Sequence, residues 1–325
     1  MRPIHASLTV ICAALALSGC ETFGAREAVP AEVVAAAPAA PAHDYTQLMD
    51  DLRILSADDM QGRDTGSEGG AKARDYIISR LEALGVAPTP MGRLQPWERQ
   101  GRSPDGPKLW QGTNILGIIQ GIKVTDRYIV VTAHYDHVGT RDGHVYNGAD
   151  DNASGVATML ELAKRLKAKP PEMSVIFVAL DGEERGLLGA KHFVDAPPVP
   201  LSRIAMNLNF DMTGRADVDD KLWVTGTYQH PYFRAVLDQV AARTNVALAF
   251  GKDTPDDKGS DNWVNASDHA AFHAQKIPFL YLGVNFHDNY HKPSDDFETI
   301  QPAYFQQATE LSIDSFYYLD RWFAQ

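Results

Sequence analysis

The chain has 325 residues, of which 44% are hydrophobic, 9% aromatic and 22% charged, so it can bury a sizeable core as a soluble globular protein. Its formal net charge of −12 argues against nucleic acid and against an anionic membrane surface as partners, because phosphate binding needs clustered lysine and arginine. Nothing in the sequence indicates a repeat protein.

The first residues have the pattern of a secretory signal. Arg2 precedes an apolar run from Leu8 to Leu17, which is too short to cross a bilayer as a helix. The run ends in the letters LSGC at residues 17–20, which resemble the lipobox of bacterial lipoproteins. Residues 1–19 are therefore predicted to be a lipoprotein signal peptide. An ordinary signal peptide, or a transmembrane stub that ends in cysteine, is the alternative.

Residues 20–43 are rich in Ala, Pro and Val without a period, which is typical of a flexible tether. We expect an exported protein on the periplasmic side of a bacterial membrane, held there only through the lipid on Cys20. Since Cys12 is the only other cysteine, the processed chain has no free thiol for a disulfide or a metal site. Any metal site must be built from histidine, aspartate and glutamate.

Residues 44–325 are predicted to form one α/β domain, a three-layer sandwich whose mixed, largely parallel central sheet is flanked by helices. Apolar residues at helical spacing predict helices at 45–56, 71–84, 154–166, 231–243 and 303–323. Short β-branched or apolar runs predict strands at 114–119, 128–133, 174–180, 204–210, 222–225 and 277–282. Residues 91–113 are expected to form a hairpin or a loop.

Three of the predicted strands lead directly into imidazole or acidic side chains, namely His134, the pair Glu183 and Glu184, and Asp211. The C-terminal ends of strands in an α/β sheet gather the side chains of a ligand site. His134 also lies two residues before Asp136, and a carboxylate beside an imidazole can fix the tautomer that leaves the other nitrogen free for a metal. A satisfied buried histidine is the alternative.

Asp150 and Asp151 stand at the start of a predicted helix, where they can cap the helix and favour its dipole. Alternatively, one carboxylate can hold two cations about 3.5–4 Å apart, as in two-metal hydrolytic sites. Together with Glu183, Glu184 and Asp211, these acids would repel one another by on the order of several kcal/mol unless cations compensate or some are protonated.

Two adjacent glutamates can divide the chemistry, one as a metal ligand and the other as a general base. His291 adds a second imidazole to the set. Nitrogen and oxygen ligands without sulfur suit Zn²⁺, with Mn²⁺ or Co²⁺ as less favoured occupants.

The chain resembles the M28 family of zinc aminopeptidases from about residue 52 onward. The segments that carry the resemblance are QGRDTGSEGG, TNILGIIQG, TAHYDHVG, NGADDNASGVA, LDGEERGLLGA, NFDMTGR, ASDHAAF and YHKPSDD. The resemblance implies two zinc ions per chain. It also implies the metal ligands: His134 and Asp211 on one ion, Glu184 and His291 on the other, and Asp150 between them.

The resemblance also implies catalytic roles. Glu183 falls on the general base, which would take a proton from a water between the zincs and return it to the departing amine. Asp136 falls on the partner of His134, and Asp151 on a residue whose peptide bond to the bridging aspartate is cis in relatives. Tyr290 matches a tyrosine that hydrogen-bonds the developing oxyanion in some relatives, with a packing aromatic as the alternative.

Other histidine-containing segments are assigned no metal. The adjacency of Ser267, Asp268 and His269 makes a catalytic triad implausible, and the resemblance implies that they shape the site from behind the ligands. The remaining histidines are predicted to be surface or packing residues: His137, His144, His192, His230, His273 and His287.

The predicted function is removal of N-terminal residues from peptides that have a free N-terminus. The nearest alternative is an aminoacyltransferase like glutaminyl cyclase, which has a similar fold and one zinc, although ERGLLGA and DDNASGVA favour the peptidase. The other alternative is a lipid-anchored binding protein with a structural metal. A structural site would not need Glu183 as a spare base, and closed zinc sites favour sulfur ligands. The sequence leaves the oligomeric state open.

Overall fold

The computed structural model describes residues 43–103, 105–216, 220–241 and 246–325. Its helices are α1 (Thr46–Leu55), α2 (Glu68–Ala83), α3 (Gly155–Ala168), α4 (Leu188–Asp195), α5 (Tyr232–Ala241), α6 (His269–Ala274) and α7 (Pro302–Phe323). Its strands are β1 (Leu94–Gly101), β2 (Lys108–Ile119), β3 (Val124–His134), β4 (Gly139–Arg141), β5 (His144–Tyr146), β6 (Met173–Leu180), β7 (Ile204–Phe210), β8 (Lys221–Thr225), β9 (Ala247–Phe250) and β10 (Phe279–Gly283).

Eight of these strands form one mixed sheet in the order β1-β2-β6-β3-β7-β10-β8-β9. At its centre β6, β3, β7 and β10 run parallel, so their C-terminal ends meet at one edge. Strand β2 is antiparallel to β6 and to its hairpin partner β1, and β8 is antiparallel to β10. Strands β4 and β5 make a separate small hairpin.

The central strands are buried on both faces. Every residue of β6 and β7 is buried, as expected for parallel strands that are covered by helices on each side. Along β6, Phe177 belongs to one hydrophobic cluster, whereas Ile176 and Val178 belong to another. The first cluster includes buried residues of α1, α2, α3, α5 and α7, and the second includes those of α4 and α6. The predicted three-layer α/β sandwich is therefore confirmed.

The structure extends the predicted elements in several places. Residues 91–113 contain β1 and the first half of β2, so this segment is a hairpin, and β2 continues through it into the predicted strand. Helix α2 begins earlier than predicted because the Ser67 side chain accepts a hydrogen bond from the Gly70 amide at 3.0 Å and caps the helix. The predicted helix 231–243 is observed as far as Ala241, and residues 242 and 243 lie outside the described part.

The predicted signal peptide and all but the last residue of the predicted tether lie outside the described residues. None of the helices that the structure describes combines the length and the apolar character needed to cross a membrane.

Candidate metal centre

The central parallel strands position most of the candidate ligands. His134 is the last residue of β3, and Asp211 directly follows β7. Glu183 and Glu184 lie in the turn that follows β6. Because β6, β3 and β7 are neighbours in the sheet, the predicted convergence of these side chains at one edge is found in the structure.

Asp151 lies in the turn Ala149–Ser154 between β5 and α3. The buried Asn152 side chain holds this turn against β7, because its Nδ2 donates to the Phe210 carbonyl at 3.0 Å and its Oδ1 accepts from the Met212 amide at 3.0 Å. On the other side, the Asp295 carboxylate accepts a hydrogen bond from the Asp151 amide at 3.0 Å. The turn is therefore fixed from two sides.

One group of ligands contains His134, Asp151 and Asp211. His134 Nε2 lies 3.3 Å from Asp151 Oδ1 and 3.3 Å from Asp211 Oδ1. His134 Nδ1 lies 3.0 Å from the main-chain oxygen of Asp136, to which a protonated Nδ1 donates. This hydrogen bond selects the tautomer whose Nε2 lone pair is free for a metal.

A second group contains His137, Asp151, Glu184 and His291. His291 Nε2 lies 3.0 Å from Asp151 Oδ2 and 3.1 Å from Glu184 Oε1. His137 Nδ1 lies 2.9 Å from the same glutamate oxygen. Asp151 thus presents Oδ1 to the first group and Oδ2 to the second, which is the arrangement of a bridging carboxylate.

The chemistry of these two groups fits divalent metal ions. The candidate ligand atoms within each group all lie within 4.8 Å of one another. The contacts of Glu184 Oε1 with His137 Nδ1 and His291 Nε2 lack hydrogen-bond geometry, and His137 Nε2 is also buried without a hydrogen-bond partner. Buried polar atoms of this kind call for an additional ligand. Nitrogen and oxygen donors without sulfur suit zinc in a site with an open position.

The buried carboxylates of the two groups are favoured in their ionised form by the imidazoles around them. Burial opposes ionisation of Asp151, yet the imidazoles of His137, His134 and His291 hold its pKa well below the usual range. Glu184 is also buried and lies near the negative Asp151, but the imidazoles beside it lower its pKa to about 2. Against the effect of burial, nearby carboxylates raise the pKa values of His134 and His291, and metal ions would displace the protons from these imidazoles, since a metal-binding histidine must be neutral.

The carboxylate that belongs to both ligand groups is that of Asp151, whereas Asp150 was expected from the sequence. Asp150 Oδ1 accepts hydrogen bonds from the Gly214 amide at 2.6 Å and from Ser154 Oγ at 3.1 Å. Its Oδ2 lies 3.0 Å from His287 Nε2. Both oxygens of the Asp150 carboxylate therefore contact Gly214, Ser154 or His287, and Asp150 belongs to neither ligand group. The cis peptide bond is likewise one residue later than expected, between Asp151 and Asn152.

The Asp136 side chain does not hydrogen-bond His134, although this was expected from the sequence. Its carboxylate oxygen lies 3.7 Å from His134 Nδ1, which is longer than a hydrogen bond. Instead, Asp136 Oδ1 accepts from the Glu183 amide at 3.0 Å, and Oδ2 accepts from the Glu184 amide at 3.2 Å. The Asp136 side chain thus holds the turn that carries both glutamates.

Glu183 and Tyr290 line the same pocket as the first ligand group. The lining residues are His134, Asp151, Glu183, Asp211, Met212, Trp263, Ala266, Tyr281, Val284, Phe286 and Tyr290. Burial raises the pKa of Glu183 well above its usual value. Burial also raises the pKa of Tyr290, so its hydroxyl stays protonated. The Tyr290 ring stacks on the His291 imidazole with the ring centres 4.0 Å apart.

Sequence reasoning missed His137, and it placed Asp268 behind the ligands without predicting the complete burial of its carboxylate. His137 was predicted to be a surface or packing residue, but the segment after β3 is irregular and directs its imidazole into the second ligand group. Asp268 is fully buried with neither carboxylate oxygen hydrogen-bonded, and burial raises its pKa to about 7. Repetition of histidine in HYDH was the available signal for His137, whereas the burial of Asp268 depends on tertiary packing.

The fold and these two ligand groups define an α/β protein with a candidate two-metal centre at the C-terminal edge of its sheet. Residues 114–315 match the family model of Peptidase family M28, and the chain belongs to this family. It is 31% identical over 210 residues to aminopeptidase YwaD of Bacillus subtilis, an alignment that covers 61% of this chain and 42% of YwaD. The chain thus spans less than half the length of this relative.

Solved structures share the fold. A zinc aminopeptidase from Bacillus subtilis, BSAP, superposes with a TM-score of 0.65 at 20% identity, covering 83% of this chain and 94% of that one. Glutaminyl cyclase of Porphyromonas gingivalis superposes with a TM-score of 0.68 at 19% identity, covering 86% and 98%. At this level of identity the two structures establish the three-layer fold and do not distinguish one activity from the other.

Proposed function

We propose that this protein is a zinc-dependent aminopeptidase that binds two metal ions per chain and removes N-terminal residues from peptides. In this proposal His134 and Asp211 hold one ion, Glu184 and His291 hold the other, and Asp151 holds both. The observation that carries the proposal is the orientation of Asp151, whose Oδ1 lies 3.3 Å from His134 Nε2 and whose Oδ2 lies 3.0 Å from His291 Nε2. Membership of Peptidase family M28 supports the same reaction class.

Zinc supplies Lewis acidity to such a site, since it polarises a substrate carbonyl and acidifies water. Glu183 takes the proton from the attacking water and delivers it to the nitrogen of the departing amine. Its burial and raised pKa suit this exchange, because a general base works best when its pKa approaches the working pH. Asp136 keeps Glu183 in place through the amide hydrogen bond at 3.0 Å.

Tyr290 is proposed to stabilise the oxyanion that forms from the substrate carbonyl. Its protonated hydroxyl can donate a hydrogen bond to the developing negative charge, as donors in oxyanion holes do. The stacked ring of His291 restricts where the Tyr290 hydroxyl can lie.

The second candidate function is a cyclase-type aminoacyl transfer with one zinc, which the shared fold of the Porphyromonas gingivalis enzyme brings into consideration. Two ligand groups joined by one carboxylate favour the two-metal peptidase, because a single ion would leave one group of buried acids and imidazoles uncompensated.

Glu183→Gln tests the proposal. The variant should retain two zinc ions per chain and lose about 10²–10⁴-fold in the hydrolysis of aminoacyl chromophores, because the amide cannot accept the proton. Glu98→Gln is a matched control, since Glu98 is an exposed glutamate of β1 that pairs with Gln111. Near-normal hydrolysis by Glu183→Gln would contradict the role of Glu183, and conversion of N-terminal glutamine to pyroglutamate without hydrolysis would favour the cyclase.

The proposal includes a location. The charged start, short apolar run and LSGC letters at residues 17–20 support export and lipid attachment at Cys20, with residues 20–43 as a tether to the peptidase domain.

A further inference from the structure

The guanidinium of Arg63 connects segments that carry metal ligands. Arg63 ends the short helical segment Asp58–Arg63 and is only 1% exposed. Its side chain donates four hydrogen bonds, all to main-chain carbonyl oxygens: Tyr135 (2.8 Å), Leu55 (2.5 Å), Asn147 (2.6 Å) and Gly148 (2.9 Å). None of these acceptors is charged, so Arg63 binds backbone and leaves the carboxylates of the site free.

The acceptors of Arg63 flank the candidate ligands. Tyr135 directly follows His134, and Asn147 and Gly148 begin the loop that leads to Asp151. The Arg63 carbonyl also accepts a hydrogen bond from the His137 amide at 3.3 Å. One residue therefore joins the segment after β3 to the loop that carries the bridging carboxylate.

The chemistry of arginine suits this task. A guanidinium is planar and presents its N–H donors in fixed directions, so the carbonyls that it binds are held in a defined relation to one another. Burial lowers the pKa of Arg63 to about 10, against the opposing effect of the site carboxylates Asp151 and Asp295, so the group remains a cation at neutral pH. The positive charge of Arg63 interacts favourably with the carboxylates of the site, although Arg63 itself is not a metal ligand.

We infer that Arg63 is a positioning residue for the metal centre, which fixes the backbone before Asp151 against the backbone after His134 and so sets the separation of the ligand atoms. The inference rests on the metal centre of the proposed function. It gives a role to Arg63 of the QGRDTGSEGG segment before α2, whose side-chain hydrogen bonds all go to main-chain carbonyls. Small errors in such spacing weaken a metal site because ligands must be held within about 0.5 Å of their productive positions.

Arg63→Lys is the test variant, and Arg93→Lys is its control. Lysine keeps the charge but cannot reproduce the planar set of donors. Arg93 also donates only to main-chain carbonyls, those of Val86, Ala87 and Leu116. None of these three residues belongs to a segment that carries a candidate ligand, so the control loses the same kind of interaction elsewhere in the fold.

Zinc affinity is measured on the metal-free proteins in a zinc-buffered solution, and the absorption spectrum of the cobalt-substituted proteins reports the coordination geometry. For Arg63→Lys we expect zinc affinity to fall by about 10- to 100-fold, the range found when groups that orient metal ligands are removed. We also expect an altered cobalt spectrum and a smaller rise in melting temperature on adding zinc. Arg93→Lys should lower the melting temperature of the metal-free and loaded forms equally and leave affinity and spectrum unchanged.

Wild-type affinity and spectrum in Arg63→Lys would overturn the inference, as would an equal loss of affinity in Arg93→Lys. If Arg63→Lys fails to fold, Arg63→Ala refolded with a non-denaturing concentration of guanidinium replaces it. Recovery of zinc affinity with guanidinium but not with ammonium supports the inference, and affinity that responds to neither overturns it. A wild-type protein that binds zinc without hydrolysing peptides would contradict the proposed function alone, because affinity is measured without substrate.

Discussion

Asp150 and Asp151 are adjacent and buried, yet their carboxylates face different parts of the molecule. Asp151 lies between the two ligand groups, whereas Asp150 accepts hydrogen bonds from Gly214 and Ser154 within the fold. Asp150 was expected from the sequence to be the bridging acid, whereas the structure brings Asp151 into both ligand groups, because the choice between the two acids depends on the backbone of a turn. Gly148 begins this turn in a left-handed conformation with φ of 56°, and two residues inside it leave helical geometry.

The two aspartates are therefore expected to respond differently to the same substitution. Asp151→Asn should weaken zinc binding in both groups, because the amide supplies a single weak oxygen ligand where a carboxylate supplied two. The purified chain should then retain less than one zinc ion in total. Asp150→Asn retains an oxygen that can accept from Gly214 and should keep both ions, at a cost in stability of about 1 kcal/mol for altered hydrogen bonds. Metal analysis after gel filtration, with thermal unfolding as a control, distinguishes them, and the reverse result would return the bridge to Asp150.

Elements that are long or fully buried were predicted well, because burial on both faces produces continuous apolar runs. Strand β7 was predicted with its observed bounds and β6 to within one residue, and α7 was predicted to within one residue at its start. Helices α4 and α6 were missed, since with 8 and 6 residues they are too short to show a helical period. The first half of β2 was predicted only as part of a hairpin or a loop, because its residues Lys108–Thr113 mix polar and apolar side chains and are half-exposed.

Strand β10 and the loops around it form an apolar wall of the site pocket. Besides the candidate ligands and Glu183, the lining side chains are all apolar or aromatic: Met212, Trp263, Ala266, Tyr281, Val284, Phe286 and Tyr290. A charged side chain buried against this wall would lose hydration without gaining a partner. For the proposed aminopeptidase we therefore predict a preference for substrates whose N-terminal residue is apolar.

Phe286→Ala should change this preference without harming the fold, because Phe286 is 45% exposed. Removing its ring opens space for a larger substrate side chain, and each substrate methylene newly buried there contributes about 1 kcal/mol, so the ratio of kcat/KM for phenylalanyl over alanyl substrates should rise by about tenfold. Tyr228→Ala is a control, since Tyr228 is 53% exposed and does not line the pocket. A ratio that is unchanged in Phe286→Ala, or that changes equally in both variants, would exclude this wall from specificity.

At the scale of the whole molecule, we assign zinc binding and hydrolysis to the folded domain and membrane attachment to the proposed lipid anchor. The described helices include none suited to crossing a membrane, and a net charge of −12 disfavours adsorption to anionic lipids. We propose that stable association with a membrane comes from a lipid on Cys20, where each buried CH₂ contributes about 0.8 kcal/mol.

Cys20→Ser tests whether membrane attachment can be removed without loss of zinc binding and hydrolysis. Cys12→Ser is its matched control within the apolar run. When the full chain is produced in a bacterium that processes lipoproteins, the wild type and Cys12→Ser should incorporate labelled fatty acid and sediment with membranes. Cys20→Ser should incorporate none and appear in the soluble fraction, with zinc content and hydrolysis unchanged because no residue of the proposed site lies within residues 20–43. Membrane association of Cys20→Ser at high salt would instead indicate the transmembrane alternative, since only a surface-adsorbed domain is released by screening of charge.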